Sequence, residues 1–158
     1  MEFMSRVNKV WDQVNVALVH IEAAGNASEL AGARRHARRV EELLKSQGDT
    51  LGKLDTLSEL LDGPLMATAD PNGIYKLHYG NMARALQAAR ARIEIALQVL
   101  EQALKTEKLS TVQDQVRLVS EQLFRAKGRT GTTDPQVGGL LYVKGLTAQI
   151  VQQMKAKR

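Results

Sequence analysis

IYKLHYGNMARALQAARARIEIALQVLEQALKTE, residues 74–107, decides the fold. Within it Tyr75, Tyr79, Met82, Leu86, Ala89, Ile93, Ala96, Leu100 and Ala103 recur at alternating spacings of four and three. That is the period of one face of an α-helix, and a strand would scatter the same residues over both sides of a sheet. Leu97, Val99 and Leu104 widen the stripe beyond the seam of a two-stranded coiled coil. A helix so broadly apolar is expected to be covered on more than one side, as in a bundle.

The same period appears on both sides of this helix. Val7, Trp11, Val14, Leu18 and Ile21 mark a first helix over about 5–24, which Gly25 can end in the left-handed conformation. Leu30, Ala33, Ala37, Val40 and Leu44 mark a second, with Asn26 and Glu29 spaced as a capping box and Gly48 as a stop. Leu51, Leu54, Leu57 and Leu61 mark a short third, capped by Asp49 or Thr50 and ended by Gly63-Pro64. Asp70-Pro71 offers a cap and a first-turn proline for the long helix, with Gly73 and Gly80 as weak points near its start.

Beyond the long helix, Ser110 and Gln113 read as another capping box. It opens a helix on Val112, Val116, Val119, Leu123 and Ala126 that closes at Gly128. Residues 129–139 read as a flexible Gly/Thr loop. Asp134-Pro135 then prepares a last helix on Leu140, Val143, Thr147, Ile150 and Met154, with Lys155, Lys157 and Arg158 at its negative end. The expected fold is therefore all-α: one domain over 1–158, an antiparallel bundle of five to six helices around a long one at about 74–107. Met1–Phe3 reads as an addition ahead of a native start at Met4. Alanine at alternate stripe positions suits closely approaching antiparallel helices.

Composition narrows the functional classes. The 158 residues include no cysteine, so disulfides and thiolate chemistry are excluded. No apolar run approaches the ~20 residues of a membrane span, and a cytoplasmic protein is expected. Lys and Arg number 22 against 17 Asp and Glu, a balance of +5 that permits but does not require an anionic partner.

Arg34, Arg35, Arg38 and Arg39 are the conspicuous cluster. On a helix they span an arc of about 140°, which could grip phosphates or simply face solvent with Arg38 paired to Glu41 or Glu42. No aromatic residue interleaves with them to stack bases. Arg84, Arg90 and Arg92 read as an ordinary exposed face, with Arg90–Glu94 and Glu101–Lys105 as ion pairs.

Gly128–Thr133 is superficially like a phosphate loop but lacks its Gly-Lys-Ser/Thr ending and a preceding strand. His20, His36 and His78 stand in no metal-binding motif, and Asp70-Pro71-Asn72-Gly73 lacks the later acids of a calcium loop. Thr68–Pro71 echoes Thr132–Pro135, best read as repeated use of one cap chemistry. No catalytic or metal-ligating residues, cofactor or small-molecule substrate are expected.

Trp11, Tyr75 and Tyr142 are the candidate partner contacts, because large aromatic rings anchor interfaces. The expected function is non-catalytic: assembly, adaptor or scaffold work through protein contacts, with self-association. The alternative is a nucleic-acid-associated protein gripping phosphates through the basic helix face.

Overall fold

A computed structural model of the chain describes residues 2–45, 50–63 and 70–156. These form six helices and no strand: α1 (Glu2–Gly25), α2 (Leu30–Lys45), α3 (Thr50–Asp62), α4 (Lys76–Lys105), α5 (Leu109–Lys127) and α6 (Pro135–Ala156). The all-α bundle expected from the periodicity is what the chain forms.

The six helices make four columns. α1 is one and α4 is another, and these two stand diagonally, with no Cα of one within 8 Å of the other among the described residues. α2 and α3 follow each other along α4 in the opposite sense: Arg34 meets Thr106, Lys45 meets Glu101, and Asp55 meets Arg90. α5 and α6 form the fourth column, also antiparallel to α4, since Gln122 meets Arg92 and Thr147 meets Met82. The bundle is thus up-down-up-down, with each descending column made of two successive helices. One core cluster draws on all six helices. Ile21, Leu44, Leu57, Leu86, Ile93, Leu100, Leu123 and Leu140 are among its largest fully enclosed side chains.

The buried row of α1 is Phe3, Val7, Val10, Val14, Ala17, Ile21 and Ala24, with Leu18 beside it. Trp11, placed by its spacing in the core stripe, lies instead on the flank and is half-buried. Val10 fills the inner position. Phe3, read as part of an added segment, is buried in the core at 2 % exposure.

Three cap expectations are corrected. α2 begins at Leu30, four residues beyond Asn26. Asn26 belongs to the turn that leaves α1, donating its N–H to the Glu22 carbonyl, so there is no capping box at Asn26. α5 begins at Leu109 behind Lys108, with no side-chain cap, and the Gln113 amide reaches across to the Ala27 carbonyl instead of back to Ser110.

Asp70 is not the cap of α4. It caps the turn before it, its two carboxylate oxygens accepting the N–H groups of Ile74 at 2.9 Å and Tyr75 at 2.8 Å, and the helix proper starts at Lys76. By contrast Asp134 takes the position its spacing predicts. It accepts from the Gln136 N–H and precedes Pro135, the first residue of α6. The echo between the two segments is therefore one of composition, and Thr68 and Ala69 of the first copy lie outside the described residues.

α6 starts within the stretch expected to be loop. Residues 135–138 are helical, and the irregular connection shrinks to 128–134. The helix is interrupted once, at Gly139, with φ 55° and ψ −139°. There the backbone passes so close to the end of α5 that a Cβ on Gly139 would lie 2.6 Å from the Ala126 carbonyl oxygen. Thr50 is the first residue of α3. Its buried hydroxyl donates to the Leu43 carbonyl and so ties α3 to α2. Gly48, Asp49 and Pro64, to which stops and caps were assigned, lie outside the described residues.

Candidate interaction surfaces

The four clustered arginines do not act as one arc. Arg34 is half-buried and donates from Nη2 to the Thr106 carbonyl at the C-terminal end of α4. Arg39 pairs with Glu42 at 3.2 Å, where Arg38 had been the expected partner of that carboxylate. Arg35 and Arg38 are exposed and meet no carboxylate among the described residues. With Arg39, Glu42, His20 and His36 they line an open groove of about 450 Å³ between α1 and α2.

The His20 and His36 rings face each other there, Nδ1 to Nδ1 at 3.5 Å. Such a contact works as a hydrogen bond when one ring carries its proton on Nδ1 and the other on Nε2. Among the described residues no group of three or more metal-ligating side chains occurs, so this pair stands without further ligands.

The second basic set is pinned as its spacing suggests, and beyond it. Arg90 binds Glu94 on its own helix and Asp55 on α3 at 2.7 Å. These hydrogen bonds, Asp55 first, raise its guanidinium pKa above the ordinary value. Glu101 pairs with Lys45 across the helix interface at 3.1 Å in place of Lys105. Ion pairs this exposed contribute little to stability.

The aromatic candidates divide. Tyr75 is 5 % exposed and stacks against His78, which places its ring away from the surface. Tyr142 is half-buried against the core. Trp11 is partly buried, and two ammonium groups crowd its ring: Lys127 Nζ at 4.8 Å and Lys144 Nζ at 4.5 Å from the ring centroid. Neither ammonium meets a carboxylate among the described residues.

Large apolar residues are exposed at the start of α4, where Leu77 and Ile74 stand, and on α1 and α5 next to Lys127, on residues that stand off the helical stripes. α1 and α5 leave between them a groove of about 700 Å³. Its floor is Leu18, Ile21 and Val116, and its rim carries Val19 and Phe124, 66 % and 57 % exposed. Phe124 also borders a second groove of about 590 Å³ with Val137 and Arg129, so its ring forms a ridge between two depressions. Val19 and Phe124 were legible as large apolar residues outside the rows 7-14-21 and 116-119-123. Standing between those rows, they carry no periodic signal of their own.

No helix of the described residues is long and apolar enough to cross a membrane. Comparison of the chain with protein-family models, with curated proteins and with solved structures gives no match.

Proposed function

We propose that this chain is a non-catalytic helical-bundle module that works through protein–protein contact, in an assembly, adaptor or scaffold role. The observation that carries this reading is Phe124: a phenylalanine more than half exposed, set as a ridge between two open grooves and accompanied by Val19. Aromatic side chains flanked by pockets are what interfaces use as anchors, because covering them removes the most water-exposed apolar area per residue. Replacing Phe124 or Val19 with Asp should leave the helix content and melting temperature intact, since neither side chain is in the core. Association measured by sedimentation equilibrium, with itself or with a partner, should be lost. Association unchanged in both variants would overturn the reading.

A second reading, binding of nucleic-acid phosphates, draws on Arg35 and Arg38, two exposed guanidinium groups without carboxylate partners among the described residues. Phosphate contacts release counterions, so affinity for mixed-sequence duplex DNA would fall steeply with salt and the slope would shrink by about one unit for each arginine removed. An Arg35→Ala/Arg38→Ala chain with the parent's salt slope excludes it.

A further inference from the structure

The α1–α5 groove offers more than exposed carbon: its surroundings are cationic and poorly answered. Of the residues that line the groove, Arg117 and Lys127 are basic and Glu22 alone is acidic. The nearest acid to Arg117 is Asp114 at 3.9 Å, and both side chains are at least three-quarters exposed, so that pair screens little of the charge. At one end of the groove Lys127 and Lys144 converge on Trp11, each within 5 Å of the ring centroid. The indole face attracts each ammonium, yet an aromatic quadrupole cannot cancel two full charges. Beyond Phe124, Arg125 is neutralised by Glu121 at 2.6 Å, while Arg129 meets no carboxylate among the described residues.

We infer that the occupant of this groove is an acidic amphipathic helix of another protein, seated with its apolar face against Val19 and Phe124 and its carboxylates toward Lys127, Lys144 and Arg117. The inference rests on the interaction role proposed above and names its partner class. A groove between two helices is shaped to receive the ridge of a third. The alternative occupant is a second copy meeting the same face. In a two-fold pair each surface patch meets itself or its immediate neighbours. That places these lysines and arginines opposite their own copies, with Glu22, Asp114 and Glu121 as the acids beside them, and like charges across an interface disfavour it.

The test uses the full chain and two designed helical peptides of about five turns, identical in their Leu/Phe face and carrying either Glu or Lys on the other positions. Fluorescence anisotropy should show the Glu peptide binding at least about tenfold more tightly than the Lys peptide at low salt, with the gap closing as salt rises. The Lys127→Glu/Lys144→Glu chain should lose or invert that preference while keeping the parent's circular dichroism. The Phe124→Asp chain should bind neither peptide.

Equal affinity for both peptides, abolished by Phe124→Asp, would overturn the acidic partner and leave the interaction role standing. So would a wild-type chain that binds neither peptide but forms a dimer that Phe124→Asp dissolves; the occupant is then a second copy. A chain that binds neither peptide and shows no association dependent on Phe124 would overturn both the partner class and the role.

Discussion

The guanidinium of Arg34, near the start of α2, donates to the backbone carbonyl of Thr106, 72 residues further along the chain at the end of α4. The last carbonyls of a helix have no intrahelical donor, and a cation there also meets the negative end of the helix dipole. Arg34 is thus a tertiary cap, although its sequence neighbours mark it as one of four equivalent surface charges.

This separates Arg34 from Arg35 experimentally. Arg34→Ala should cost about 1.5–3 kcal/mol, the range for a hydrogen bond from a charged donor, with the lower end favoured because its buried Nε has no partner to lose. Arg35→Ala, on an exposed position, should shift stability by less than about 0.5 kcal/mol. Urea denaturation of both variants checks the contrast, and equal losses would contradict it.

Ile93 and Ile95 make a second contrast, two residues apart on α4. Ile93 is fully enclosed and Ile95 is 39 % exposed. Ile93→Asp places an unpaired carboxylate in the apolar core and should cost about 4 kcal/mol or more, enough to unfold many domains of this size. Ile95→Asp keeps its charge in water and should cost less than about 1 kcal/mol. Thermal melts followed by circular dichroism distinguish the two.

What was legible in the sequence follows from the range of the force involved. The rows of Leu, Val, Ile and Ala at helical spacing announced the helices, because burial acts on every turn and leaves its period in the chain. The broad stripe of 74–107 announced a bundle for the same reason. Caps were legible only where the local solution was also the tertiary one, as at Asp134. Gln113 found a better acceptor in Ala27, and Asp70 moved one turn upstream to serve two amides. Trp11 shows the same limit: its spacing admits it to the core row, but Val10 fits the closely packed seam and the indole is pushed to the flank. The proposed interaction surface was least visible, since Lys127, Lys144 and Trp11 come from three helices.

Tyr79 yields a prediction about alkaline pH. Its ring is buried and its hydroxyl has no hydrogen-bond partner among the described residues. Burial first, then the nearby Asp70 carboxylate, raises the phenol above its ordinary value of 10.0. An acid with a raised folded-state pKa holds its proton more tightly when folded, so its contribution is complete below pH 10 and is lost as pH rises from there through the folded value. Tyr79→Phe should be neutral or stabilising by up to about 1 kcal/mol at pH 7, because it removes an unsatisfied buried hydroxyl. It should also flatten the decline in stability above pH 10. A variant with the parent's alkaline slope would show that Tyr79 is not its source.

Glycine supplies the last prediction, because the same change should have opposite signs at two positions. Gly80 lies inside α4, where the helix runs through without a break, and a Cβ there would meet nothing within 4 Å. Gly80→Ala removes backbone freedom from the unfolded chain and should stabilise by about 0.5–1 kcal/mol. Gly128 closes α5 at φ 82°, in the region that side chains rarely adopt, and its Cβ would fall into the backbone carbonyl of Gly138. Gly139 faces it with φ 55°. Here the α5–α6 column turns by passing backbone against backbone, and no rotamer change can relieve the overlap. Gly128→Ala should therefore cost more than the 1–3 kcal/mol typical of strained backbone alone, and should expose the α5–α6 junction to faster amide exchange. If Gly128→Ala melts with the parent, the two helices do not cross as closely as described, and the break in this column would need another cause.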